Sequence, residues 1–99
     1  MENREIKNSY QFLFNSIRTI LNDIDPEFLS PGQRNGAPND EYDLETSQIT
    51  NYLIKNKEIG IEDILNEINR IWIESFGKSC DKSKELSAKV LDLKKQQQL

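Results

Sequence analysis

Histidine is absent from the 99 residues. That absence removes the commonest general base, the commonest metal ligand and the one side chain that changes charge near neutral pH. Carboxylates, lysines and tyrosines remain, so chemistry is not forbidden, but the expectation turns toward a protein that is not an enzyme, with no catalytic residue, no metal and no cofactor. A single cysteine, Cys80, excludes an internal disulfide and suits a reducing compartment. No apolar run approaches the ~18 residues of a membrane span, and no charged-then-apolar signal segment opens the sequence. A cytoplasmic chain without a membrane partner is therefore expected. Basic residues are also outnumbered, 13 against 17 acids, for a net charge of −4. A phosphate-tracking face needs an excess of lysine and arginine, so nucleic acid is not an expected partner.

What is present suits one polar helical domain spanning 1–99. Apolar residues make up 35% and charged residues 30% of the chain, which fits helices packed around one seam with most faces wet. The aromatics are spread from Tyr10 to Phe76, which argues against wholesale disorder. Charge is uneven along the chain. Asp23 to Glu67 holds eleven acids against three bases, whereas Lys78 onward holds six lysines against three acids. A basic protein is the partner that this acidic centre suits.

Four helices are expected, at about 3–23, 43–56, 61–76 and 81–95. Ile6, Tyr10, Leu13, Ile17, Ile20 and Ile24 follow helical spacing, with Phe14 and Leu21 widening the seam. Asp25-Pro26 ends that helix, because proline disfavours a helical residue before it. Asp25 then reads as an N-cap with Pro26 opening a short turn. The loop 25–42 contains Ser30 to Asn39, where two prolines and two glycines fall among ten residues. It is longer than most helix connections, which makes it a candidate functional loop. Asp43 reads as the cap of the second helix, with Ile49, Tyr52 and Leu53 as its apolar stripe. Ile61, Ile64, Leu65, Ile68, Ile71 or Trp72, and Phe76 mark the third helix, stopped by Gly77. Trp72 and Ile73 cannot both share the seam, so one projects away from it, against the long loop or a dimer surface. Leu86, Val90 and Leu93 mark a weaker fourth helix, whose end at Lys94-Lys95-Gln96-Gln97-Gln98 reads as fraying. The fold class is all-α: a compact four-helix domain with a long Pro/Gly loop between its first two helices.

The unusual segment is Pro38-Asn39-Asp40-Glu41-Tyr42-Asp43-Leu44-Glu45, preceded by Asp25-Pro26. Here the chain resembles the YugE-like family of small bacterial proteins, domain of unknown function 1871, in which an Asp-Pro, a variable loop and a Pro-x-Asp-Glu-Tyr-Asp-x-Glu block open a helix. Every fixed element of the block is present, at Pro38, Asp40, Glu41, Tyr42, Asp43 and Glu45. Two positions depart from the pattern: Ile24 stands where a bulky residue such as tryptophan often precedes the Asp-Pro, and Leu44 where a proline often follows the second Asp. The resemblance implies an all-helical fold over most of the chain and supplies no activity.

Two roles compete for the block. In the first, Asp25 and Asp43 cap helices, Asp40 and Glu41 take backbone donors in the loop, and Tyr42 plugs the seam. In the second, Asp40, Glu41, Tyr42, Asp43 and Glu45 form a surface for a basic partner, in the manner of an inhibitory or immunity protein. The spacing of these acids does not match the twelve-residue calcium loop, and a helical chain of this size offers little cleft for paired-carboxylate catalysis. A different class of function is an oligomeric small-molecule sequestering protein, as in phage counter-defence. There Arg34, the loop amides, Tyr42 and Trp72 would enclose a nucleotide-like signal, with protomers of a homo-oligomer sharing the pocket. Cys80 reads most simply as a small buried or inert residue.

Overall fold

The computed structural model describes residues 2–29 and 40–97, with side chains described for 9–29 and 40–96. The centre of the Pro/Gly loop, Arg34 included, lies outside the described residues. Four helices are found, α1 (Glu2–Ile24), α2 (Asp43–Lys55), α3 (Ile61–Phe76) and α4 (Ser83–Gln97), and no strand occurs among the described residues. None of these helices is long and apolar enough to cross a membrane.

α1 contains neither glycine nor proline and ends where the backbone turns left-handed at Asp25, with φ of 49°. Aspartate tolerates that region better than most side chains, and Pro26 behind it blocks a helical continuation. The Asp25 N–H still donates to the Leu21 carbonyl at 2.8 Å, so Asp25 closes α1 and is not the N-cap of a new helix. Residues 26–27 form a turn, closed by the Phe28 N–H on the Asp25 carbonyl at 3.1 Å.

α2 departs from expectation at its start. Tyr42 occupies the cap position without a side-chain cap bond, and Asp43 is already helical. α2 ends at Asn56, whose backbone N–H and side-chain amide both donate to the Tyr52 carbonyl. α3 begins after Gly60, whose N–H is taken by the Asp63 carboxylate at 3.0 Å, the reciprocal half of a capping box. It ends on Gly77 at φ of 76°, with the Gly77 N–H on the Ile73 carbonyl at 3.0 Å. α4 starts two residues later than expected and extends to Gln97.

The short connections at 56–60 and 77–82 turn each helix back along its predecessor. α1 packs on α2 and α4, and α3 packs on α2 and α4, which closes a ring around one core. α1 contributes Leu13, Ile17 and Leu21, with Ile20 and Ile24 partly buried. The buried line thus follows the i, i+4 ridge through Leu21, because α1 must face two neighbours at once. Ile49 and Leu53 come from α2, Ile64, Ile68, Ile71 and Trp72 from α3, and Leu86, Val90 and Leu93 from α4. Of the pair that cannot share a face, Trp72 is inside and Ile73 is 54% exposed. Thr46 and Thr50 are buried with their hydroxyls turned back onto the Tyr42 and Thr46 carbonyls, so α2 presents methyl groups to the core.

Candidate functional site

The chain brings the Asp-Pro turn, the start of α2 and the end of α3 together at one end of the bundle, and Tyr42 is the hub. Its ring is fully buried and stacks near Trp72, centroids 6.2 Å apart, while Trp72 in turn meets Phe76 at 5.2 Å. The Tyr42 hydroxyl donates to Asp25 Oδ1 at 2.6 Å and accepts the Glu27 N–H at 2.9 Å. The same Asp25 oxygen accepts the Leu29 N–H at 2.8 Å. Burial, with the Asp25 carboxylate behind it, pushes the Tyr42 hydroxyl well above its ordinary pKa, so it stays a donor.

Glu27 extends this lock to α3. Its carboxylate accepts the Trp72 indole N–H at 2.9 Å and meets the Lys78 ammonium at 3.3 Å. A buried tryptophan needs such an acceptor, and Glu27 provides it from the turn. Asn69 adds a further tie, accepting the Cys80 N–H at 2.9 Å and fixing the α3–α4 connection. Asp43 pairs with Arg18 of α1 in a two-pronged contact, 2.9 Å from Nε and 2.5 Å from the second nitrogen. That contact raises the Arg18 pKa, chiefly through the hydrogen bond, with Asp40 adding attraction. Arg18 also lies 5.3 Å from the Phe14 ring centroid.

The acidic block is therefore two things. Asp40 and Glu41 carry exposed side chains, whereas Tyr42 and Glu45 are buried and cannot belong to a contact surface. Asp43 is half-buried and engaged by Arg18, and it does not cap α2. The helix has already begun at Asp43, so its carboxylate is free to reach across to α1. Trp72, a candidate for a ligand pocket with Arg34, has its ring in the core and its one polar atom bonded to Glu27. A ligand enclosed by Tyr42 and Trp72 would have to displace core packing. The exposed aromatic at this end is a different one: Phe28, 82% exposed and held in the left-handed region at φ of 55°.

No family model, curated protein or solved structure matches the chain. Among the described residues no group of three or more Cys, Asp or Glu is placed to hold a metal ion.

Arg18, Glu27 and Asn69 were not among the residues that sequence patterning singles out. Each acts across elements, on partners 25, 45 and 11 positions away, and neither periodicity nor local spacing reports such pairings. The one available signal was indirect: a buried Trp72 requires an acceptor, and acids abound near the Asp-Pro turn. Phe28 gave no signal beyond its place after that turn.

Proposed function

We propose that the chain is a non-catalytic binding protein that meets a basic protein partner with the end of the bundle carrying Phe28, Asp40 and Glu41. The observation that carries this reading is the division of the acidic block. Tyr42 and Asp43 bolt the segment to Asp25 and Arg18, while the two acids just before them stay exposed. Phe28 follows Glu27, whose N–H is held by Tyr42, so the exposed ring belongs to the same end. An exposed aromatic at the same end as solvated acids suits an apolar pocket rimmed by lysine or arginine. The ring supplies contact area at small entropic cost, and the acids accelerate encounter. An inhibitory or immunity protein has these properties. Membership of the YugE-like family belongs to the same proposal, resting on the block that builds this end.

The test is affinity capture with the wild-type chain and with an Asp40→Ser, Glu41→Ser double variant, followed by identification of what is retained. A basic protein held by the wild type, lost from the double variant and released as salt rises supports the reading. Identical captures by both chains, or a partner without basic character, would overturn it.

A further inference from the structure

At the opposite end of the bundle, the 56–60 connection and the end of α4 form a groove of about 360 Å³ lined by Lys57, Glu58, Ile59, Leu91, Lys94 and Lys95. Lys94 is the unusual member. Its residue is 8% exposed, far more buried than a lysine normally is. Its ammonium donates one hydrogen bond, to the Lys57 carbonyl. An ammonium has three donors, so two of them lack a protein acceptor among the described residues. It makes no ion pair with Glu58, the one carboxylate among the described residues that line the groove, or with any other described acid. Lys95 lines the same groove and adds like charge. A buried charge without a counter-charge is costly, and neighbours of the same sign make it more so. The carbonyl of Lys57 and the negative end of α4 offset part of that cost, but they are partial charges facing whole ones. Ile59 and Leu91 give the groove an apolar wall beside the cations.

We propose that this groove binds a small phosphate monoester. The phosphate replaces the missing acceptors of Lys94 and neutralises Lys94 and Lys95, and its organic group lies on Ile59 and Leu91. Lys94 and Lys95 suit a doubly charged phosphate better than a single carboxylate, since lysine acts as a point charge and not as a planar fork. The volume falls at the small end of ligand sites, which fits a compact ester and not a dinucleotide. This site is independent of the acidic end and stands whether or not a basic protein binds there.

The experiment is a titration of the isotope-labelled full chain, followed by backbone amide NMR shifts, with inorganic phosphate and with phenyl phosphate at constant ionic strength balanced by chloride. Both ligands should give saturating shifts confined to residues 57–59 and 91–95, with phenyl phosphate binding about tenfold more tightly because its ring is partly removed from water. Lys94→Met keeps the side-chain stem and removes the charge, and it should weaken both ligands at least about tenfold. If that variant does not fold, Lys95→Gln should weaken phosphate in a folded chain, because it removes one charge from the groove's rim. Shifts that never saturate, that spread over Lys82, Lys84 and Lys89, or that are equal in affinity for the two ligands would overturn the proposal. So would binding that Lys94→Met and Lys95→Gln both leave unchanged.

Discussion

Tyr42 and Asp43 are adjacent in the chain, yet their side chains stand in unlike surroundings, and substitutions should separate them. Tyr42→Phe leaves the ring in place but removes the hydroxyl that Asp25 accepts and that the Glu27 N–H requires. Two polar groups then lose a partner inside the lock, at an expected cost of about 1–3 kcal/mol in urea unfolding. Asp43→Ala breaks a pair about a third exposed on both sides, and solvent screening limits the loss to about 0.2–1 kcal/mol. A larger loss for Asp43→Ala than for Tyr42→Phe would mean that the α1–α2 pair, and not the hydroxyl network, holds this end. The sequence announced Asp25, Tyr42 and Asp43 as a set but not their bonding. The Asp43 carboxylate is turned toward α1, and nothing in the local pattern encodes that choice. Cys80 permits a second test at this scale. Burial pushes its thiol from an ordinary value of 9.0 up to about 11. Well below pH 9 both folded and unfolded thiols are protonated, and the group adds no pH dependence. As pH rises from about 9 toward about 11, the unfolded thiol ionises first, so stability should fall through that window. Tyr42, also raised, extends the fall further upward. Urea midpoints measured across this range should decline in the wild type and decline less in Cys80→Ala; parallel slopes would count against a buried thiol.

The helices were the part of the molecule most readable from sequence, because an apolar stripe every three or four residues has one economical burial. α3 lies at the expected residues, and the stop signal at Gly77 is a left-handed cap with φ of 76°. A β-carbon there would meet nothing within 4 Å, so Gly77→Ala has only backbone strain to contend with, and about 1–2 kcal/mol of stability should be lost. No loss would show that the cap relaxes to an ordinary conformation. Core truncations test the faces chosen for burial. Ile68 is fully buried and Leu13 nearly so; each change to alanine should cost about 2–5 kcal/mol, and a loss below about 1 kcal/mol would place that face outside. The far end of α4 was harder to read. Lys94 and Lys95 look like a fraying, solvated terminus, yet Lys94 is buried against the 56–60 connection. Composition describes lysine as a surface residue and cannot see that its long stem crosses a neighbouring element. Phe28 is the converse case: the sequence offers a large apolar residue after a turn, and the backbone turns it outward.

At the scale of the whole molecule, the two ends carry different chemistry on one rigid ring of helices. One end places exposed acids and Phe28 beside a hydrogen-bonded lock; the other gathers lysines over an apolar wall. The arrangement predicts that recognition and stability can be altered separately at the acidic end. Asp40→Ser with Glu41→Ser removes two solvated charges that serve no core contact, so the unfolding free energy should move by no more than about 0.5 kcal/mol. Phe28→Gly should go further and raise stability, because glycine adopts φ of 55° without the penalty that a side chain meets there. Against a captured basic partner the two changes should then differ in kind. Loss of the acids should slow association and flatten its dependence on salt, since exposed charge acts mainly on encounter. Loss of the ring should leave association nearly unchanged and speed dissociation, since an anchor in an apolar pocket acts on the formed complex. Surface plasmon resonance at two salt concentrations resolves both effects. If Phe28→Gly destabilises the fold and leaves dissociation untouched, the ring is a structural support of the Asp-Pro turn and the contact surface must exclude it.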